Sequence, residues 1–388
     1  MINVKEALSR VLSNVSALET IEILVENSLG FTLAKDISSP IYLPPFNQSA
    51  MDGYAISGDC KSYKIIDEIK AGDNNSIEIK NGECVRIFTG SKTPKGTTAI
   101  AKQEIVTVEN GGVYLNEIIK PETSIRKKGE EIKIGEIALK KQTLVNPAAI
   151  GLISSLGITK ISVYKKPKIE LIVTGNELTK PGLKLENGSI YESNSFTIKS
   201  ALEYCGYNCK INFVKDDYNS TKSTIEKAIK NNDLVIITGG ISVGDYDFVG
   251  KSLTDIGVTQ TFYKVKQKPG KPLYFGIKGS VKIFALPGNP AAALSCFYIY
   301  VLTALKLMNG NKNPELEKRI VKISHFYSKK GDRAQFLKAK FQNGKVTVHK
   351  GQSSAMLSSF VDANCLLYIP EETNEVKEGS DVLIYILP

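Results

Sequence analysis

Asp233-Leu234-Val235-Ile236-Ile237-Thr238-Gly239-Gly240-Ile241-Ser242-Val243-Gly244-Asp245-Tyr246-Asp247 joins an unbroken apolar run to a glycine-rich, acidic loop. A continuous β-branched run bounded by glycines reads as a strand buried on both faces, the kind found in parallel α/β sheets. A similar strand, Ile169 to Thr174, precedes Gly175-Asn176-Glu177, and Ile211 to Val214 precedes Asp216 and Asp217. Between them Ile198, Ala201, Leu202 and Cys205 mark one helix face. Further strands are expected near Thr259 to Val265, Pro272 to Ile277 and Lys282 to Leu286, followed by a helix with Asn289 as N-cap and Pro290 at its first position. Strand, loop and helix in alternation imply a parallel α/β domain whose ligand sits beyond the carboxyl ends of the strands.

Outward from this unit the pattern changes. Val4, Ala7, Leu8, Val11, Leu12 and Val15 have helical spacing, and the apolar stretch Ile21 to Leu29 is read as a second helix before Gly30. From Tyr54 to about Ile119 short alternating runs, among them Tyr63 to Ile69 and Glu83 to Phe88, are separated by Asn-Gly turns, which predicts a small all-β module. A helical pattern returns at Pro147 to Leu156, so the β module reads as an insertion into a domain begun by the amino-terminal helices. Beyond Gly310 the pattern is β again, with a hairpin at Asn343-Gly344 between Gln335 to Gln342 and Lys345 to Lys350. A chain of 388 residues agrees with several such units, since single domains cluster at roughly 100 to 200 residues.

With 50 Lys and Arg against 40 Asp and Glu the chain carries a formal +10, which raises nucleic acid, an acidic membrane surface or small anions as partners. No aromatic stacking platform is interleaved with the lysines, so nucleic acid is not expected. Six scattered cysteines are too few for a disulfide scaffold, and with two histidines a zinc site has few ligands. Free thiols and the charged amino terminus (Lys5, Glu6, Arg10) point to a cytoplasmic protein. The most apolar stretch, Ala291 to Leu305, is shorter than the roughly 20 residues a bilayer requires and is expected as a buried helix.

The candidate chemistry lies in the loops. Gly239 and Gly240 can present backbone N–H groups to an oxyanion, though a tight turn alone would use the same residues; Ser242 continues the loop. No Gly-Lys-Ser/Thr follows and the spacing is not GxGxxG, which disfavours a nucleotide hydrolase and a dinucleotide fold. Asp245 and Asp247 on a phosphate-binding rim suit Mg²⁺, which takes one or two carboxylates plus substrate oxygens. Lys264, Lys266, Lys268 and Lys271 fall in one segment stiffened by Pro269, Gly270 and Pro272, read either as a fixed oxyanion site or as a basic strand face. Leu286-Pro287-Gly288-Asn289-Pro290 aims a helix amino terminus at the same rim, as a cap or as a ligand contact.

Taken together, Pro44-Pro45-Phe46, Ser49-Ala50-Met51-Asp52-Gly53-Tyr54-Ala55, Thr174-Gly175-Asn176-Glu177-Leu178, Gly239 to Gly244, Lys268-Pro269-Gly270-Lys271-Pro272 and Leu286 to Pro290 resemble the molybdopterin molybdenumtransferase family, MoeA and the E domain of gephyrin. The resemblance runs the length of the chain. It implies a discontinuous helical domain (1–44 with 120–164), an inserted β domain (45–119), a molybdopterin-binding parallel α/β domain (165–310) and a carboxy-terminal β-barrel (311–388). It implies a homodimer, and a reaction in which adenylylated molybdopterin and molybdate, with Mg²⁺, give molybdenum cofactor and AMP. By residue, it places Asp52, Thr89, Glu131, Glu177, Asp216, Asp247, Lys264 and Lys268 in catalytic positions. Gly239, Gly240, Ser242, Lys271, Pro287, Asn289, Arg333 and Ser354 fall in substrate positions, and Asp216 and Asp247 are the candidate Mg²⁺ ligands. Gly129-Glu130-Glu131 stands where the family usually has Gly-Glu-Asp, which moves a carboxylate by roughly 1.5 Å. Asn176 stands where Asp is common, and Glu192 replaces an Asp beside Asn194. The alternatives kept open are molybdopterin adenylyltransferase, an enzyme with the same kind of α/β domain and an expected contact partner, and a gephyrin-like dimeric scaffold.

Overall fold

Strand Ile169–Thr174 is an interior strand, next to the edge, of a six-stranded sheet in the order Cys209–Val214, Ile169–Thr174, Leu234–Thr238, Val281–Leu286, Tyr274–Lys278, Thr259–Tyr263. The computed structural model describes residues 1–74, 76–241 and 248–388. The first four strands are parallel, and every residue of Leu234–Thr238 and Val281–Leu286 is buried, which accounts for their predominantly apolar composition, broken only by Thr238 and Lys282. The sheet is mixed and not wholly parallel as expected, because Tyr274–Lys278 runs antiparallel to both of its neighbours. Lys278 pairs with Val281 across Gly279-Ser280, and a two-residue connection can join only antiparallel strands.

Chain order reverses between Ile169–Thr174 and Leu234–Thr238. The first strand is followed by helix Asn194–Tyr204 and the outer strand Cys209–Val214, whereas the chain returns through helix Tyr218–Asn231 to the opposite side. Such a switch point leaves a crevice at the strands' carboxyl ends, because the connections depart in opposite directions. Behind the sheet, the helix from Pro290 to Met308 is 83% buried over its most apolar window. At 19 residues it is longer than the stretch read from sequence, so its burial in the core, and not its length, assigns it to the interior. A π-helical segment, Phe297–Val301, interrupts it.

The first helix, Val4–Asn14, forms as its spacing predicts and is capped by the Asn3 side chain. It packs its Val4, Ala7, Leu8 and Val11 face into the α/β core. The second expected helix does not form: Thr20–Leu24 is a strand paired antiparallel with Lys160–Tyr164, followed by a 3₁₀ turn at Val25–Asn27. The β-branched Ile21 and Ile23, alternating with Glu22, are the signal that the apolar reading overlooked. The core they build contains Val25, Leu33, Val145, Ala149, Ile153 and Val163, and its one helix among the described residues is Pro147–Ser155.

The β module is a six-stranded sheet in the order Ala99–Lys102, Gly53–Ile56, Glu83–Ile87, Ser62–Ile69, Gly112–Leu115, Val106–Glu109. At the carboxyl end, strand Ala334–Gln342 pairs with both Lys345–Val348 and Cys365–Ile369, and Lys318–Ile323 and Asp381–Ile386 close the ring into a five-stranded barrel. The hairpin turn is Asn343-Gly344, both at positive φ (51° and 76°), as an Asn-Gly turn of this length requires.

Candidate active site

A cleft of about 830 Å³ opens at the switch point, between the α/β sheet and the barrel. Thr174 and Thr238 end the two strands beneath it, and Gly239-Gly240 forms its floor. Gly239 turns at φ +87°, where an added Cβ would stand 2.1 Å from the Thr174 carbonyl oxygen. Gly240, at φ +61°, leaves only 2.8 Å to a Val249 methyl. Side chains are therefore excluded from both positions, and the backbone itself lines the cleft.

Lys268 and Lys271 enter from one side, Arg333 and Ser354 from the barrel, and Glu177, Pro287 and Asn289 from the α/β loops. Strand Gln267–Lys268 pairs in parallel with Ala334 and Gln335, so the barrel is stitched to the lysine loop next to Arg333. The Arg333 guanidinium donates to the Gln267 carbonyl at 3.4 Å. Fully buried Gln267 holds the loop from behind: its amide donates to the carbonyls of Pro269 and Gly270, and its oxygen accepts from the buried Tyr300 hydroxyl. Tyr300 lies within the π-helical segment.

The four lysines read as one cluster separate in space. Spacing of two residues would set Lys264, Lys266 and Lys268 on one side of a regular strand, but the segment between strands Thr259–Tyr263 and Gln267–Lys268 is not regular, and Lys264 turns into the left-handed region. Lys268 and Lys271 line the cleft, whereas Lys266 pairs with Glu371 at 3.3 Å and Asp332 at 3.5 Å, which raise its pKa. Lys264, at φ +65°, lays its ammonium over the Tyr263 ring and does not line the cleft.

Asn289 caps the long helix by position, but its side chain makes no capping bond; its amide donates to the Ser354 hydroxyl at 2.9 Å. Asp216 stands at the mouth of the switch point, its Oδ1 accepting from the Thr174 hydroxyl at 3.0 Å. Its neighbour Asp217 caps helix Tyr218–Asn231, and the Ser220 N–H holds its carboxyl below the usual range. Asp52 and Thr89 lie together in the β module, away from this cleft. The Thr89 N–H and hydroxyl both donate to Asp52 Oδ1 at 2.8 Å, and these two bonds lower its pKa. Glu131 is exposed beside the Leu43–Ile132 bridge and is also outside the cleft. Ser242, Asp245 and Asp247 lie outside the described residues.

Asn194 and Thr238 were not among the sequence candidates. Both line the cleft, and each carries a buried oxygen with no partner among the described residues, Asn194 Oδ1 and Thr238 Oγ1. The Asn194 amide is fixed by donation to the Gly288 carbonyl at 2.8 Å, and the buried Glu192 carboxylate caps the same helix through the Ser195 N–H and hydroxyl. The polar run Glu192-Ser193-Asn194-Ser195 ahead of an apolar helix was the available signal. Among the described residues no three His, Cys, Asp or Glu side chains gather as a metal site. An ion sharing its oxygen ligands with substrate needs fewer, and Asp216 on the rim suits that arrangement.

A glycine-floored switch point flanked by two lysines and an arginine is the kind of α/β cleft that can receive an anionic ligand. The chain matches the models of the MoeA N-terminal region (domains I and II) over residues 2–157, of a probable molybdopterin binding domain over 170–307, and of the MoeA C-terminal region (domain IV) over 321–387. It is 34% identical to a molybdopterin molybdenumtransferase of Haemophilus influenzae, covering 90% of each chain. A second, from Staphylococcus aureus, is 32% identical over 99% of this chain and 95% of the relative. The crystal structure of a molybdopterin biosynthesis MoeA protein from Pyrococcus horikoshii superposes with a TM-score of 0.84 at 29% identity, covering all of both chains. The chain belongs to the MoeA family of molybdopterin molybdenumtransferases, enzymes of molybdenum cofactor biosynthesis.

Proposed function

We propose that the chain inserts molybdate into adenylylated molybdopterin in a Mg²⁺-dependent reaction that releases AMP. The observation that carries this reading is the convergence of Lys268, Lys271 and Arg333 on one cleft whose floor is bare backbone, Gly239 and Gly240. Two substrates that both bear negative charge need fixed cations and N–H donors more than they need a nucleophile. In this assignment Gly239, Gly240 and the helix start at Pro287 and Asn289 hold the phosphate-bearing substrate. Arg333, Ser354, Lys268 and Lys271 hold molybdate, and Glu177, Asn194 and Thr238 orient the pterin part. Asp216 and Asp247 would hold Mg²⁺, which when bound neutralises charge on the phosphate oxygens.

The exposed Asp52–Thr89 pair is assigned to the same cleft through a homodimer, in which Asp52 of the partner subunit completes the site. Lys264 and Glu131 act from outside the single-chain cleft in the same way. The reading divides the chain into 1–44 with 120–164, 45–119, 165–310 and 311–388. It places the protein in the cytoplasm, in line with its free cysteines, beside the adenylyltransferase that supplies its substrate. Incubation with ATP and free molybdopterin distinguishes the two chemistries. No adenylylated product is expected, whereas adenylylated molybdopterin and molybdate should yield AMP; the opposite pattern would assign the chain to the adenylyltransferase step.

A further inference from the structure

Lys338 is a lysine that no part of the reaction uses directly. It lies midway along barrel strand Ala334–Gln342 and is 2% exposed, a rare condition for an ammonium-bearing side chain. Its Nζ donates to three backbone carbonyls of one loop, Gly351 at 2.9 Å, Ser353 at 3.2 Å and Met356 at 2.9 Å. Three donors directed at three acceptors satisfy the ammonium completely. The aromatic face of Phe360 lies 5.7 Å away. Burial lowers the pKa of Lys338, and the carbonyl dipoles stand in for the lost water.

The loop so gathered is the one that carries Ser354 into the cleft. Its outer side is fastened to the α/β domain at two points. The Ser354 carbonyl accepts from the Ala292 N–H at 3.0 Å, and the Ser354 hydroxyl accepts from Asn289 at 2.9 Å. The Ser359 hydroxyl donates to the Gly351 and Met356 carbonyls that Lys338 also holds, at 2.8 and 3.2 Å. Gln352 ties the loop to the Lys338 backbone by two bonds, at 3.0 and 2.9 Å. Removing the ammonium would leave the Gly351 and Met356 carbonyls sharing the single Ser359 hydroxyl and the Ser353 carbonyl with only the Met356 N–H, and the loop, having no regular pairing of its own, is the part able to move.

We infer that Lys338 is a positioning residue for the oxyanion substrate: its ammonium shapes the Gly351–Met356 loop so that Ser354 meets molybdate in the cleft between barrel and α/β domain. The inference rests on the assignment of Ser354 to molybdate in the proposed function. It predicts that a change at Lys338 is felt as a loss of molybdate affinity, transmitted through Ser354, with the adenylylated pterin bound as before.

The test is calorimetric titration of the purified full-length protein with molybdate, for the wild type, Ser354→Ala, Lys338→Met, Lys338→Arg and the double variant Lys338→Met with Ser354→Ala. Lys338→Met should weaken molybdate binding about tenfold. The double variant should bind as Ser354→Ala does, because two changes acting through one contact do not add. Lys338→Arg, which keeps the charge and the donors, should recover most of the affinity. Adenylylated molybdopterin, titrated separately, should bind all of them alike. If Lys338→Met does not fold, Ser359→Ala loosens two of the same carbonyls without burying an unpaired group, and a smaller loss of molybdate affinity is expected. A folded Lys338→Met or Ser359→Ala protein with wild-type molybdate affinity would overturn the inference, as would losses in Lys338→Met and Ser354→Ala that simply add. Failure of the wild type to bind molybdate would instead overturn the reading of the cleft, and the inference with it.

Discussion

Gly239 and Asp52 each carry a consequence measurable at a single position. At Gly239 a methyl group would overlap the Thr174 carbonyl oxygen at 2.1 Å on a backbone already at φ +87°, and neither atom belongs to a flexible side chain. Gly239→Ala should therefore cost about 1–3 kcal/mol in denaturant unfolding and abolish substrate binding, whereas Gly182→Ala, with open space around it, should leave binding intact. Asp52 is held below the usual carboxylate range first by the Thr89 N–H and then by its hydroxyl. Its native pKa being depressed, the stabilisation is present above the unfolded value, near 3.9, and is lost as pH falls through the lower native value. The group is fully exposed, so the effect on global stability is small and the titration itself is the readout. In Thr89→Ala the Asp52 midpoint followed by NMR should move up only part of the way, because the larger backbone contribution remains. An unchanged midpoint would contradict the bonding described.

Among the elements, those that bury both faces or follow a strict turn rule could be read from the chain alone. Ile169–Thr174 has the expected limits, and Asn343-Gly344 closes the expected hairpin. The reading failed where a short apolar run had two explanations. The alternating Ile21 and Ile23 favour a strand only weakly over so short a run, and the partner strand 140 positions away, at Lys160–Tyr164, is what decides between strand and helix. The lysine segment failed for a related reason, since nearness in sequence does not say that Lys264 and Lys266 face away from Lys268 and Lys271. The cleft's support was illegible: Gln267 and Tyr300 are 33 positions apart, and the π-helical segment that brings Tyr300 to Gln267 carries no turn residues. Removing the hydroxyl leaves a buried amide oxygen unpaired, so Tyr300→Phe should lower stability by about 1–3 kcal/mol and raise the substrate KM by loosening the loop of Lys268 and Lys271. Wild-type stability and KM in that variant would show that the loop holds itself.

For the whole molecule, the general charge of +10 narrows to a few cations placed where sheet and barrel meet. Glycine loops and proline-stiffened segments announced that a site existed, but the polar run around Asn194 was a weaker signal and Thr238 had none, because an oxygen unpartnered among the described residues is a property of the folded surroundings. Lys268 and Asp52 lie in separate places within one chain, and a shared dimeric cleft makes a quantitative demand. Lys268→Ala and Asp52→Ala proteins should each be inactive, but unfolding and refolding them together should restore about a quarter of wild-type activity. Half the dimers are then mixed, and each of those holds one intact cleft of two. No recovery in confirmed mixed dimers would place Asp52 outside the working site.

The proposed reaction joins an adenylylated pterin to an oxyanion in this cleft. Its most direct test is AMP release by the purified protein from adenylylated molybdopterin with Mg²⁺, with and without molybdate, followed by reconstitution of an apo-molybdoenzyme. Molybdate-dependent AMP release with recovery of molybdoenzyme activity is predicted, both lost in Arg333→Ala. No AMP and no reconstitution from the wild-type protein would contradict it.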